Sequence, residues 1–158
     1  MKAKNLALAI SGLCLMTALP ADAGGNRFKG KWMYMKKCTF CHDVDLRWQS
    51  VTGPHLRTIV GRKVAAIETI SYSPHLRLLA EHGVTWEIPL LRAFAASRDD
   101  SWFAPYRKKL LGNKCAEPNH AERPPACAPY IHHAKRRPVR PDDLENILAY
   151  LRAFVRKR

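Results

Sequence analysis

Cys38-Thr39-Phe40-Cys41-His42 constrains this chain more than any other stretch. Two thiols three residues apart fall on one side of a helical turn, and an imidazole follows the second at once. Such a set serves as a redox dithiol, as half of a zinc site, or as the attachment point of a c-type haem. A redox dithiol wants a βαβ context, and no segment here keeps strand periodicity. A zinc site wants two more ligands at close spacing, but Cys115 and Cys127 lie far along the chain and twelve residues apart. Covalent haem c is the reading these residues favour. Cys38 and Cys41 would add to the two vinyl groups, and His42 would be the proximal iron ligand.

Residues 1–23 point to the compartment where that chemistry happens. Lys2 and Lys4 precede an almost wholly apolar run, Leu6 to Leu19, and Pro20-Ala21-Asp22-Ala23 offers small residues for cleavage before Gly24. The run is shorter than the roughly 20 residues that span a bilayer, so a cleaved secretory signal is expected. Its removal leaves 25 basic and 12 acidic side chains, a formal charge of +13 against +14 for the full 158 residues. It also removes Cys14, leaving four cysteines to be accounted for in an oxidising periplasm.

The composition, 47% hydrophobic and 25% charged, is that of a globular chain long enough for one domain, residues 24–158. Export and the lack of a recognition motif argue against nucleic acid as the reason for the basic charge. An acidic redox protein fits it better, with an anionic membrane surface as a second possible partner.

Helices are expected from Gly30 to Lys37, from Ser73 or Pro74 to His82, from Trp86 to Ala96 with Thr85 as cap, and from Asp142 to Arg156. Ser73, Pro74 and Gly83 are stop and start signals in the right places. Asp43 to Ser73 is broken by Gly53-Pro54 and Gly61 and reads as loop. Ser97 to Arg140 is proline-rich and reads as too irregular for helix. The class is all-α with long loops.

The spacing around the cysteines then resembles the class I cytochrome c family. Gly30 lies eight residues before Cys38, Tyr34 follows Gly30 by four, and Pro54 of Thr52-Gly53-Pro54-His55-Leu56 comes twelve after His42. Gly61-Arg62-Lys63, Tyr72-Ser73, Val84-Thr85-Trp86 and the closing Leu144 to Leu151 with Tyr150 match further family segments. The resemblance covers residues 28–96 and 129–154 and implies an all-α cytochrome c fold around one haem. It implies that the Pro54 carbonyl accepts from His42, and that Arg62, Tyr72 and Trp86 hold the haem propionates. Gly30 would let the first helix cross the last beside Tyr34 and Tyr150. Trp32, Trp48 and Trp102 carry no such assignment.

Two departures stand out. The family's usual sixth ligand is a Met before the last helix, and no Met follows Met35. Two family spacings, four residues after a Pro (Pro129) and seventeen before Tyr150, both land on His133. That residue is the expected distal ligand; His132, Lys135, His120 or a vacant position are the alternatives. The second departure is an insertion at about 103–128, whose Cys115 and Cys127 are expected to pair and brace the distal loop.

A small monomeric electron carrier results, free or as the cytochrome subunit of a dehydrogenase or oxidase, and not itself an enzyme. A gas-binding sensor or a peroxidase-like enzyme would instead need an open sixth position.

Overall fold

The computed structural model describes residues 24–43, 53–116, 119, 121–129 and 139–154. Five α-helices follow in order: α1 (Arg27–Lys37), α2 (Pro74–Glu81), α3 (Ile88–Ala96), α4 (Ala104–Leu111) and α5 (Pro141–Arg152). Single 3-10 turns lie at Asp100–Phe103, Lys114–Ala116 and Pro125–Cys127. The expected all-α class holds among the described residues, where the β structure is one isolated bridge between Lys63 and Thr85.

Helix α1 begins three residues earlier than expected. Asn26 caps it, its side-chain oxygen accepting from the Phe28 and Lys29 amides at 2.9 and 3.0 Å, which satisfies N–H groups that a helix start leaves open. Helix α2 matches its signals. Ser73 caps it, Pro74 sits in its first turn, and Gly83 at φ +67° takes the left-handed turn that ends it.

Helix α3 starts at Ile88 and not at Trp86, and Glu87 takes the cap position expected of Thr85. The reason is tertiary. The Gly61 amide donates to the Trp86 carbonyl at 2.9 Å and the Trp86 amide to the Arg62 carbonyl at 2.8 Å. That pairing holds Trp86 out of any helix, while the Thr85 hydroxyl donates to Glu87 instead.

The stretch expected to be irregular contains α4, because Pro105 falls in the first turn, where its missing N–H costs nothing. Helix α5 ends at Arg152, short of the expected Arg156, with Ala153 as its C-cap.

The frame is α1 crossed against α5. At Gly30 a Cβ would lie 2.6 Å from the Asn146 carbonyl carbon and 2.9 Å from the Tyr150 Cβ, so only glycine permits this approach. Tyr34 is fully buried there, 5.6 Å from the Tyr150 ring. Polar ties clamp the same crossing. The Asn26 amide donates to Asn146 Oδ1 at 2.7 Å, and Lys37 pairs with buried Asp143 at 3.5 Å. Arg92 of α3 grips Glu145 of α5 through two bonds of 2.5 and 3.0 Å.

Residues of the expected insertion join this core and do not hang outside it. Phe103, Leu111 and Ala126 are buried, as is Trp102 just before them, with Trp102 edge-on to Phe94 at 5.0 Å and Phe103 edge-on to His75 at 4.7 Å. Cys115 and Cys127 form a disulfide, their Cα atoms 5.3 Å apart. It closes the loop just before Pro129.

Candidate haem site

The end of α1 builds the cysteine turn. The Cys38 amide still donates to the Tyr34 carbonyl, and the Cys41 and His42 amides turn back to the Cys38 carbonyl at 3.0 and 2.8 Å. Cys38 and Cys41 are therefore one turn apart and half-buried, and they are not joined to each other. The Tyr34 hydroxyl, anchored in the helix crossing, donates to the His42 carbonyl at 2.8 Å. Burial, with smaller contributions from Cys38 and Asp43, raises the pKa of that phenol well above its ordinary value, so it stays a donor.

A second segment, Gly53 to Leu56, closes over the imidazole. His42 Nδ1 lies 2.8 Å from the Pro54 carbonyl, and a carbonyl can only accept, so Nδ1 carries the proton and Nε2 is left with its lone pair for a metal. A Cβ on Gly53 would stand 2.7 Å from His42 Cε1 and 2.8 Å from the Cys41 carbonyl oxygen. The glycine thus makes room for the imidazole. The Leu56 amide completes the clasp by donating to the Asp43 carbonyl at 2.8 Å.

Arg62, Tyr72 and Trp86 form the other group. Arg62 is half-buried; it donates to the His55 carbonyl at 2.8 Å and approaches His55 Nδ1 at 3.3 Å. Among the described residues it has no carboxylate partner, and burial lowers its pKa, with Tyr72 opposing. Burial raises the Tyr72 phenol, partly offset by the Ile67 backbone and by Arg62. Trp86 is buried, edge-on to Phe94 at 5.2 Å, and its backbone is paired to that of Arg62. His55 was not singled out in the sequence. It orients Arg62, and its own pKa is lowered by burial and then by Arg62. Its only sequence signal is its position inside the Thr52–Leu56 segment.

These residues fit a haem c. The donor set supplies two thiols and one imidazole in the correct tautomer, and a half-buried guanidinium lacks the anion that a propionate would provide. Among the described residues no group of three or more His, Cys, Asp or Glu side chains converges as a metal cage would need. Cys115 and Cys127, being bonded to each other, present no thiolate. His133, His132, Lys135 and His120, like Trp48, Thr52 and residues 1–23, lie outside the described residues.

No protein-family model matches the chain. It is 31% identical over 70 residues to cytochrome c2 of Pararhodospirillum photometricum, covering 44% of this chain and 62% of that one. It is 28% identical over 120 residues to a cytochrome c homolog of Rickettsia bellii, covering 76% of this chain and 53% of that one. The chain thus spans between about half and three-fifths of these relatives' length.

In structure it resembles cytochrome c2 from Rhodospirillum centenum, with a TM-score of 0.64 at 18% identity, covering 82% of this chain and 98% of that one. It also resembles ferric cytochrome c-550 from Paracoccus versutus, with a TM-score of 0.54 at 21% identity, covering 84% and 99%. These likenesses carry the expected cytochrome c fold. In sequence and in fold this chain is thus similar to cytochromes c2 and c-550, and its cysteine turn with the adjacent histidine fits a covalently attached haem c.

Proposed function

We propose that the protein is a monohaem electron carrier and not an enzyme, exported to the periplasm and cleaved after Ala23. The observation that carries this is the Cys38–Cys41 turn with His42 locked by Pro54. Bound there, haem iron would supply a one-electron ferric–ferrous couple. Cys38 and Cys41 would hold the ring through thioethers, and His42 would present Nε2 while the Pro54 carbonyl keeps its proton on Nδ1. Arg62, Tyr72 and Trp86 would bind the propionates, and the Arg62 charge would offset theirs. Trp86 and its aromatic neighbours would exclude water from that side. His133 would be the second histidine to hold the iron, giving a reduction potential well below that of a Met-ligated relative, since imidazole favours ferric iron more than thioether does.

The basic charge supports an acidic redox partner, either a soluble protein or a dehydrogenase or oxidase that this chain serves. Ferric electron paramagnetic resonance of the isolated protein tests the ligation. A low-spin bis-imidazole signal is expected, lost in His133→Ala and kept in His132→Ala. A high-spin spectrum that shifts with carbon monoxide would defeat the closed carrier site.

A further inference from the structure

Helix α1 has a second face that neither the core nor the haem site uses. Phe28, Trp32 and Met35, at i, i+4 and i+7, are 78%, 56% and 56% exposed and lie opposite the Gly30 and Tyr34 face that packs on α5. Phe40, in the cysteine turn beyond, is 76% exposed. Cations flank this strip on both sides: Arg27, Lys29, Lys31 and Lys36, all exposed, with no Asp or Glu anywhere from Gly24 to His42. Arg27 lies over the Phe28 ring at 5.5 Å and Lys36 over the Trp32 ring at 4.4 Å. Lys37 points the other way, into its pair with Asp143.

We infer that this face docks the protein on an anionic lipid surface. Apolar and aromatic side chains down one side of a helix, with lysines on both shoulders and no acid, are the pattern of a helix lying in a membrane interface. The rings enter the headgroup region while the cations remain level with the phosphates. Size favours this occupant over a stable protein partner. Eleven residues make a strip about 16 Å long. At about 10 Å wide it offers some 160 Å², against roughly 800 Å² a side for a stable protein interface. A lipid surface sets no such minimum. Helix α1 has 11 residues, about half of what spans a bilayer, so the contact is interfacial.

The inference goes beyond the carrier reading and stands apart from it, because vesicle binding is read without electron transfer. The haem-loaded protein is sedimented with phosphatidylcholine vesicles, either pure or with about one third phosphatidylglycerol. Binding to the anionic vesicles is expected to be at least about tenfold tighter. The triple variant Phe28→Ser, Trp32→Ser, Met35→Ser is expected to lose about tenfold or more of it while keeping the parent's haem spectrum. Lys29→Gln, Lys31→Gln, Lys36→Gln should remove the salt-sensitive part. Three results would overturn the inference: no binding to anionic vesicles, equal binding by the serine variant, or a defect of that variant confined to reaction with a soluble acidic acceptor. The last would make the strip a protein contact.

Discussion

Gly53 and His42 compete for the same space, and the glycine yields it. A methyl group there would press on the Cys41 carbonyl, which is backbone, and on the imidazole, which cannot retreat without straining its Pro54 bond. Gly53→Ala should therefore cost about 1–3 kcal/mol and shift the midpoint potential, read by thermal unfolding and redox titration of the same sample. Unchanged values in both would mean the approach is looser than this. His75 makes a different prediction. It is 2% exposed, and burial, then Arg107, lowers its pKa below the ordinary 6.5. Above that pH both folded and unfolded chains hold it neutral. Below it the unfolded chain takes a proton that the folded chain refuses, so stability falls as pH drops from 7 towards 5. His55 contributes in the same direction. His75→Phe should thus flatten the pH dependence of the urea midpoint only in part, and an unaltered slope would remove His75 from the account. The His42 to Pro54 contact was legible only through the resemblance to class I cytochromes c that the Thr52–Leu56 segment carries. The roles of His55 and His75 were not, since a single histidine carries no periodicity or motif.

At the scale of elements, the α1–α5 crossing depends on Gly30. Its hypothetical Cβ meets backbone of Asn146 as well as the Tyr150 side chain, and backbone gives way least. Gly30→Ala should destabilise by about 2–3 kcal/mol, despite alanine's better helix propensity, and a denaturant titration that finds it neutral or stabilising would contradict the crossing. The Cys115–Cys127 bridge should be worth about 2–3 kcal/mol, because it closes a short loop in the unfolded chain. Cys115→Ser with Cys127→Ser should lower the unfolding midpoint accordingly and leave haem attachment intact, as a mass measurement would show. Helix α2 was legible because its signals are local: Ser73 and Pro74 at one end, Gly83 at the other. The start of α3 was not, because the Trp86 backbone is claimed by Gly61 and Arg62 across the fold. Helix α4 was hidden by prolines read as breakers, although Pro105 occupies the one turn that tolerates it.

The whole molecule is strongly basic, and that charge acts at long range. Its rate of reaction with an acidic redox protein should fall about tenfold or more between low and physiological salt, as screening shortens the reach of the field. Stopped-flow rates that ignore ionic strength would leave the charge without a role in encounter. The sequence by itself determined the helical class and the cysteine–histidine motif that suits haem c, since both rest on residue types at fixed short spacing. The pairing of α1 with α5 was expected from the resemblance to class I cytochromes c, carried by Gly30, Tyr34 and Tyr150. Only the tertiary structure decided that the proline-rich stretch after Ser97 belongs to the core, where Trp102 and Phe103 meet Phe94 and His75, and that Phe28, Trp32 and Met35 face outward together. Both outcomes depend on which faces of distant elements are already covered. Hydrophobicity alone marks a side chain as fit for burial, and it takes a partner surface at the right place to bury it.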